Sequence, residues 1–268
     1  MRTQWLLPAI VLSAVLATTG CGSRPSPPVV VPAVQVAPSN ARSDAELLRS
    51  ADVSILFVGN SHTGMHRLPE LVAEMIRFRH PEKVVRTHHV WVGFLEDTAR
   101  DPACRLEIES LPWTFIVLQA QKESRSGRAK YSQAEGIDIA KLGKARGASV
   151  VFFAEWGLQE TTGHGSRIER IYDEMATAAA ARVAPVGRAW ELALAARPDM
   201  SLYEGDGNHQ TAVGAFLSAA VLFGRLTNES PAVLATFPYD RVVDTDRMVM
   251  LEAAAKALAE APCHPEAD

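Results

Sequence analysis

Residues 55 to 64, ILFVGNSHTG, compress a strand, a tight turn and a helix start into ten positions. Ile55, Leu56, Phe57 and Val58 make an uninterrupted apolar run of strand length, the pattern of a strand covered on both faces. Gly59 and Asn60 break the run, and Ser61 stands where a helical pattern begins. Such a unit belongs in an α/β protein, where a parallel strand hands over to a crossover helix. It also sets Ser61 at the carboxyl end of a strand, where a helix N-terminus offers unpaired N–H groups to a developing negative charge. A serine in that place can equally be a plain helix cap, so any chemistry needs a second group.

The second group lies about 145 residues on, in YEGDGNHQTAVGAFLSAAVLFGRL, if the strand-and-helix order folds back as a doubly wound sheet would. Asp206 and His209 are three residues apart, and Gly207 eases a turn between them. Within one turn the carboxylate can reach the imidazole, fix its tautomer and stabilise the imidazolium formed when it takes a proton. Taken alone, Asp-x-x-His is a weak signal; paired with a strand-end serine it becomes the kernel of a proton relay.

Between these segments, apolar runs alternate with helical patterns. Strands are expected at 53–58, 84–92, 114–118, 149–154 and 183–186, and helices at 67–79, 132–146, 166–181, 187–196, 210–226 and 246–260. Leu68, Leu71, Val72, Met75 and Ile76 give the first of these helices a single buried stripe. Apolar residues run around most of the helix from 210, which predicts burial on all sides. The expected architecture is a three-layer α/β/α domain with a mostly parallel five-stranded sheet, spanning residues 51–262. In an open parallel sheet ligands collect beyond the carboxyl ends of the strands, and Ser61, Gly93, Gln119, Gln121, Glu155 and Trp156 all follow expected strand ends.

These segments together resemble the SGNH branch of the GDSL-type hydrolases, from about Asp52 to Pro231. GNSHT at 59–63 matches the G-D-S-L block and D206-G-N-H209 the closing D-x-x-H, with VLQAQ at 117–121 and PVGRAW at 185–190 matching an uncharacterised bacterial SGNH-like branch. The resemblance implies a flavodoxin-like fold and cleavage of an ester, of esterase or carbohydrate O-deacetylase type, with no cofactor. It assigns Ser61 as nucleophile, His209 as base and Asp206 as its orienting partner. The oxyanion hole it implies comprises Ser61, Gly93 and Gln121, the glutamine standing where the family has asparagine. Asn60, His62, Gln119 and Trp156 are further candidates for contact with a small-molecule or polysaccharide ester. Asn60 replaces the family's aspartate and Gln119-Ala120-Gln121 its G-x-N-D block. Those departures keep a second reading open, a catalytically inactive, lipid-anchored binding protein on the same fold.

The ends of the chain point to export. Arg2, the apolar stretch from Trp5 to Ala17 and the small residues before Cys21 read as a lipoprotein-type signal peptide over residues 1–21. Thr18-Thr19-Gly20-Cys21 resembles a bacterial lipobox, so Cys21 is the expected lipidation site and the membrane an expected partner. Gly22 in place of aspartate favours the outer membrane, facing the periplasm or the surface. Residues 22–50 are expected to be a Pro/Val/Ser-rich tether. Lys and Arg number 27 against 31 acidic residues, and without residues 1–20 the balance is 26 − 31 = −5, which leaves no basic face for nucleic acid. Cys104 and Cys263 are compatible with a disulfide or with two thiols. His62 and His66 stand four apart, but Thr63 follows where a zinc-peptidase motif needs glutamate, and no metal site is expected.

Overall fold

The computed structural model of the chain describes residues 43–99 and 101–262. The expected signal peptide, Cys21, residues 22–42 of the expected tether and Cys263 lie outside the described residues. Five strands, β1 (Val53–Gly59), β2 (Val85–Trp91), β3 (Phe115–Leu118), β4 (Ser149–Ala154) and β5 (Arg182–Pro185), form one sheet in the order β2-β1-β3-β4-β5. Every pairing is parallel. Val58, Leu118, Phe152 and Val183 sit side by side across it, so the loops after β1, β3, β4 and β5 leave from nearly one level.

Alternation along the strands divides the core into two layers. Ile55 and Phe57 of β1, Val117 of β3 and Val151 and Phe153 of β4 face one cluster. It is completed by α3 (Leu68–Arg79), α7 (Val186–Ala196), α8 (Ala212–Thr227) and α9 (Asp244–Glu260). Leu56, Val58, Ile116, Leu118, Val150 and Phe152 face the other, with α4 (Pro102–Ser110), α5 (Ala134–Ala145) and α6 (His164–Ala179). The five expected strands and six expected helices are present, with ends displaced by a residue or two.

Two helices were not expected from the sequence. Asp44–Arg49 forms α1 inside the expected tether. Its start is a capping box, in which Glu46 N donates to Ser43 Oγ (3.3 Å) and Ser43 N to Glu46 Oε2 (2.8 Å). Leu48 anchors it to the second core layer. In α4, Asp101 caps the first turn by accepting from Ala103 N (2.9 Å), and Pro102 occupies N1. Cys104 of α4 is a buried thiol; burial first, then Asp101 and Glu107, push its pKa up to about 11.

Helix α8 is buried along nearly its whole length, as its all-round apolar pattern predicts. Gly214 permits its close approach, because a Cβ there would lie 2.6 Å from the Leu202 carbonyl oxygen and 2.7 Å from the Trp190 ring. Alanine would gain about 1 kcal/mol of helix propensity. The overlap costs about 1–3 kcal/mol, and neither a backbone carbonyl nor a buried indole can swing aside. Gly214→Ala is therefore expected to be net destabilising, read as a lower urea midpoint with an unchanged m-value.

Candidate active site

At the end of β1 the backbone turns so tightly that a Cβ on Gly59 would meet Thr63 Oγ1 at 2.2 Å and Gln119 Oε1 at 2.6 Å. Asn60 then caps the short helix α2 (Ser61–Gly64), its Oδ1 accepting from His62 N at 3.1 Å. Ser61 is the first helical residue. Among the described residues its N–H has no hydrogen-bond partner, as expected for the opening position of a helix.

Gln119, the first residue after β3, braces this turn. Its Oε1 accepts from Asn60 N (3.0 Å) and Thr63 Oγ1 (2.8 Å), while its Nε2 donates to the Glu155 carboxylate beyond β4. Gln119 is fully buried. Its amide is thus committed to the scaffold, which differs from the expected contact of Gln119 with a substrate.

The loop before α8 brings in the other two groups. Gly207 adopts a left-handed conformation (φ 65°), and Glu204 N donates to His209 O (2.8 Å), closing the loop on itself. His209 Nδ1 lies 2.5 Å from Asp206 Oδ2, and His209 Nε2 lies 2.8 Å from Ser61 Oγ. Asp206 Oδ1 also accepts from the N–H groups of Asn208 and His209, each at 2.9 Å. The His209 side chain first, then these two backbone donors, hold the Asp206 carboxyl well below the usual carboxylate range. It therefore stays anionic wherever a neutral imidazole could act as base, and the Nδ1 proton it holds leaves Nε2 free to accept from Ser61.

No family model matches the sequence, and no curated protein does. Solved structures do. A DUF4886 family protein from Bacteroides uniformis aligns with a TM-score of 0.56 at 15% identity, covering 78% of this chain and 95% of that one. A proposed SGNH hydrolase from Slackia heliotrinireducens aligns with a TM-score of 0.51 at 21% identity, covering 64% and 97%. The chain has the SGNH-hydrolase fold.

Within this SGNH fold, Gln121 borders the same cavity as Ser61, but its amide hydrogens are not free. Its Nε2 donates to the carbonyls of Lys122 (3.1 Å) and Ser132 (2.8 Å), so both amide hydrogens are taken by the following loop. The cause is Ala120, a non-glycine residue with φ 80° that turns the chain off the line of β3. The expected place of Gln121 in an oxyanion hole is corrected accordingly. Gly93 is better disposed: its carbonyl accepts from Asn60 Nδ2 (3.2 Å), and its N–H has no partner among the described residues. Asn60 therefore brings a side-chain amide to the segment that carries Gly93.

Trp156 is buried rather than open to solvent. Its indole stacks on Trp190 (4.1 Å, 5° between planes) and on His62 (4.8 Å, 28°), and its Nε1 donates to Asn208 O (2.8 Å). It holds the Asp206–His209 loop and also reaches the wall of the cavity that Ser61 lines. His62 stands edge-on to His209 (5.5 Å, 87°), with its Nδ1 3.8 Å from Glu155 Oε2 and without a hydrogen-bond partner among the described residues. His66 lies beyond α2 at a left-handed position and meets Gln210 O (3.0 Å), so His62 and His66 share no helix face. Beside Ser61 opens a cavity of about 280 Å³ whose wall includes Asn60, His62, Phe94, Glu155 and Asn208.

Gln210 escaped the sequence reading. Fully buried, it donates from Nε2 to His62 O (3.0 Å) and Met65 O (3.3 Å), and its Oε1 accepts from Ser218 Oγ of α8 (3.2 Å). It joins the segment bearing Ser61 to the one bearing His209. Its only advance signal is its place next to the histidine. Because each buried polar group left without a partner costs about 1–3 kcal/mol, Gln210→Ala is expected to destabilise the fold by about 2 kcal/mol, read as a lower urea midpoint with far-ultraviolet circular dichroism unchanged.

Proposed function

We propose that this protein is a serine hydrolase that cleaves esters through Ser61, His209 and Asp206. The observation that carries the reading is the continuous chain of contacts from Ser61 Oγ through both nitrogens of His209 to Asp206. Ser61 Oγ attacks the ester carbonyl as His209 Nε2 takes its proton, and Asp206 stabilises the resulting imidazolium. The tetrahedral oxyanion is held by the unpaired N–H groups of Ser61 and Gly93, with the second hydrogen of the Asn60 amide as the third donor in place of Gln121. Collapse breaks the bond to the alcohol, which leaves with the proton from His209. Water then attacks the acyl-serine by the same route, releasing the carboxylic acid and restoring Ser61.

The cavity beside Ser61, of about 280 Å³, supports a compact acyl group, and its wall mixes carboxylate, amide and imidazole groups with Phe94, Trp156, Leu158 and Ile168. A long alkyl chain would require an apolar channel. A carbohydrate O-deacetylase fits this better than a lipase. A fluorophosphonate probe is expected to label the protein at Ser61, and Ser61→Ala is expected to lose labelling and p-nitrophenyl acetate hydrolysis with an unchanged melting temperature. Full turnover by that variant, or labelling at another residue, would overturn the assignment.

Cys21 remains the proposed lipidation site, with residues 22–43 as spacer between the membrane and the domain. Expression in a bacterial host with a radiolabelled fatty acid is expected to give a labelled membrane-associated protein. Cys21→Ser should abolish the label; a Cys21→Ser protein that is still labelled would dismiss this site.

A further inference from the structure

We propose that a second cavity, which shares part of its wall with the one beside Ser61, binds an acidic glycan and so defines the alcohol side of the ester substrate. The substrate part rests on the esterase reading; the binding site does not. This cavity, of about 470 Å³, lies between the segment 121–133 and one side of α6, and shares Gln121, Lys122 and Glu123 with its neighbour.

Its charges are unbalanced. Lys122, Lys130, Arg167 and Arg170 line it against Glu123 and Glu174, four cations to two carboxylates, on a chain of net charge −4. Lys122 pairs with Glu96 outside the cavity (2.9 Å), which still leaves three cations to two carboxylates. Lys130, Arg167 and Arg170 form no ion pair among the described residues. Arg167 is held in place by backbone carbonyls alone, donating to Arg125 O (2.7 Å) and Gly163 O (3.1 Å), so its orientation is fixed while its charge is not offset. Both carboxylates already serve groups of the protein. Glu174 accepts from Gln133 Nε2 (3.0 Å), and Glu123 accepts from His164 Nε2, whose proton is placed there because Nδ1 accepts from Leu158 N (2.8 Å). A concave wall with excess positive charge concentrates an anionic ligand.

Aromatic rings argue for a sugar among anions. Lys122 Nζ lies 5.4 Å from the Phe94 ring centre and 4.8 Å from that of Tyr131. Phe94 borders the Ser61 cavity and Tyr131 the second one, and each is more than a third exposed. Rings bordering the two cavities offer flat apolar surface to the C–H faces of a pyranose, while guanidinium and ammonium groups meet its carboxylates. A uronic-acid oligomer, acylated at the residue placed over Ser61, has both features. A fatty acyl chain has neither.

The test is calorimetric titration of the full-chain protein with an unacetylated oligogalacturonate, a neutral xylo-oligosaccharide of equal length, and poly-glutamate. The oligogalacturonate is expected to bind at least about 10-fold more tightly than either, with affinity falling as salt rises. K130E/R170E is expected to lose that preference while keeping its melting temperature. If that pair unfolds the protein, K130Q/R170Q is read instead, with a partial loss expected. Equal binding of poly-glutamate, no preference for the uronate, or a preference that survives in the folded variants overturns the proposal. Hydrolysis of p-nitrophenyl acetate without uronate preference sinks this site alone. Uronate preference without hydrolysis by the wild type sustains the site and removes the esterase reading.

Discussion

One buried amide, that of Gln119, holds the ends of three strands together where the site is built. It accepts from the turn after β1 and donates to the carboxylate after β4 while itself sitting at the end of β3. All its hydrogen-bonding partners are within the protein, so removing it would leave a buried Glu155 oxygen and the Asn60 N–H without theirs. Unpaired buried groups of this kind each cost about 1–3 kcal/mol, more when charged. The turn that carries Ser61 is thereby fixed by polar contacts rather than by packing alone.

The contact between Asp206 and His209 is assembled differently. Asp206 is exposed and His209 half-buried, so water screens the attraction between them. What sets their geometry is the backbone: a left-handed Gly207, two N–H groups on Asp206 Oδ1, and the loop closure onto His209 O. Trp156 and Gln210 then fasten this loop to β4 and to α2. The two halves of the site, 148 residues apart in sequence, meet through groups whose main contribution is position.

Much of this was readable from the sequence because it depends on period and punctuation. Strands buried on both faces read as apolar runs, and Gly59-Asn60 and Gly207 mark the turns that carry Ser61 and His209. The helices α1 and α4 were missed although Ser43 with Glu46, and Asp101 with Pro102, are recognisable starts; both helices are short and contribute few residues to the core. The fate of Gln119 and Gln121 was not legible. Beyond a strand end, side-chain direction depends on the backbone, and the left-handed Ala120 is a conformation that composition gives no reason to expect. Trp156 reads from the sequence as either a substrate platform or a core residue, and the structure gives it a share of both: it is stacked and buried between Trp190 and His62, yet it borders the cavity beside Ser61.

The walls of the cleft differ in how freely they can vary. His209 hangs from α8, a helix with almost no exposed side and with Gly214 wedged against Trp190, so nearly any change there is felt by the core. Segment 121–133 is mostly surface. Variation can therefore accumulate along that rim while Ser61, His209 and Asp206 keep their spacing, which leaves the rim the freer of the two walls to change.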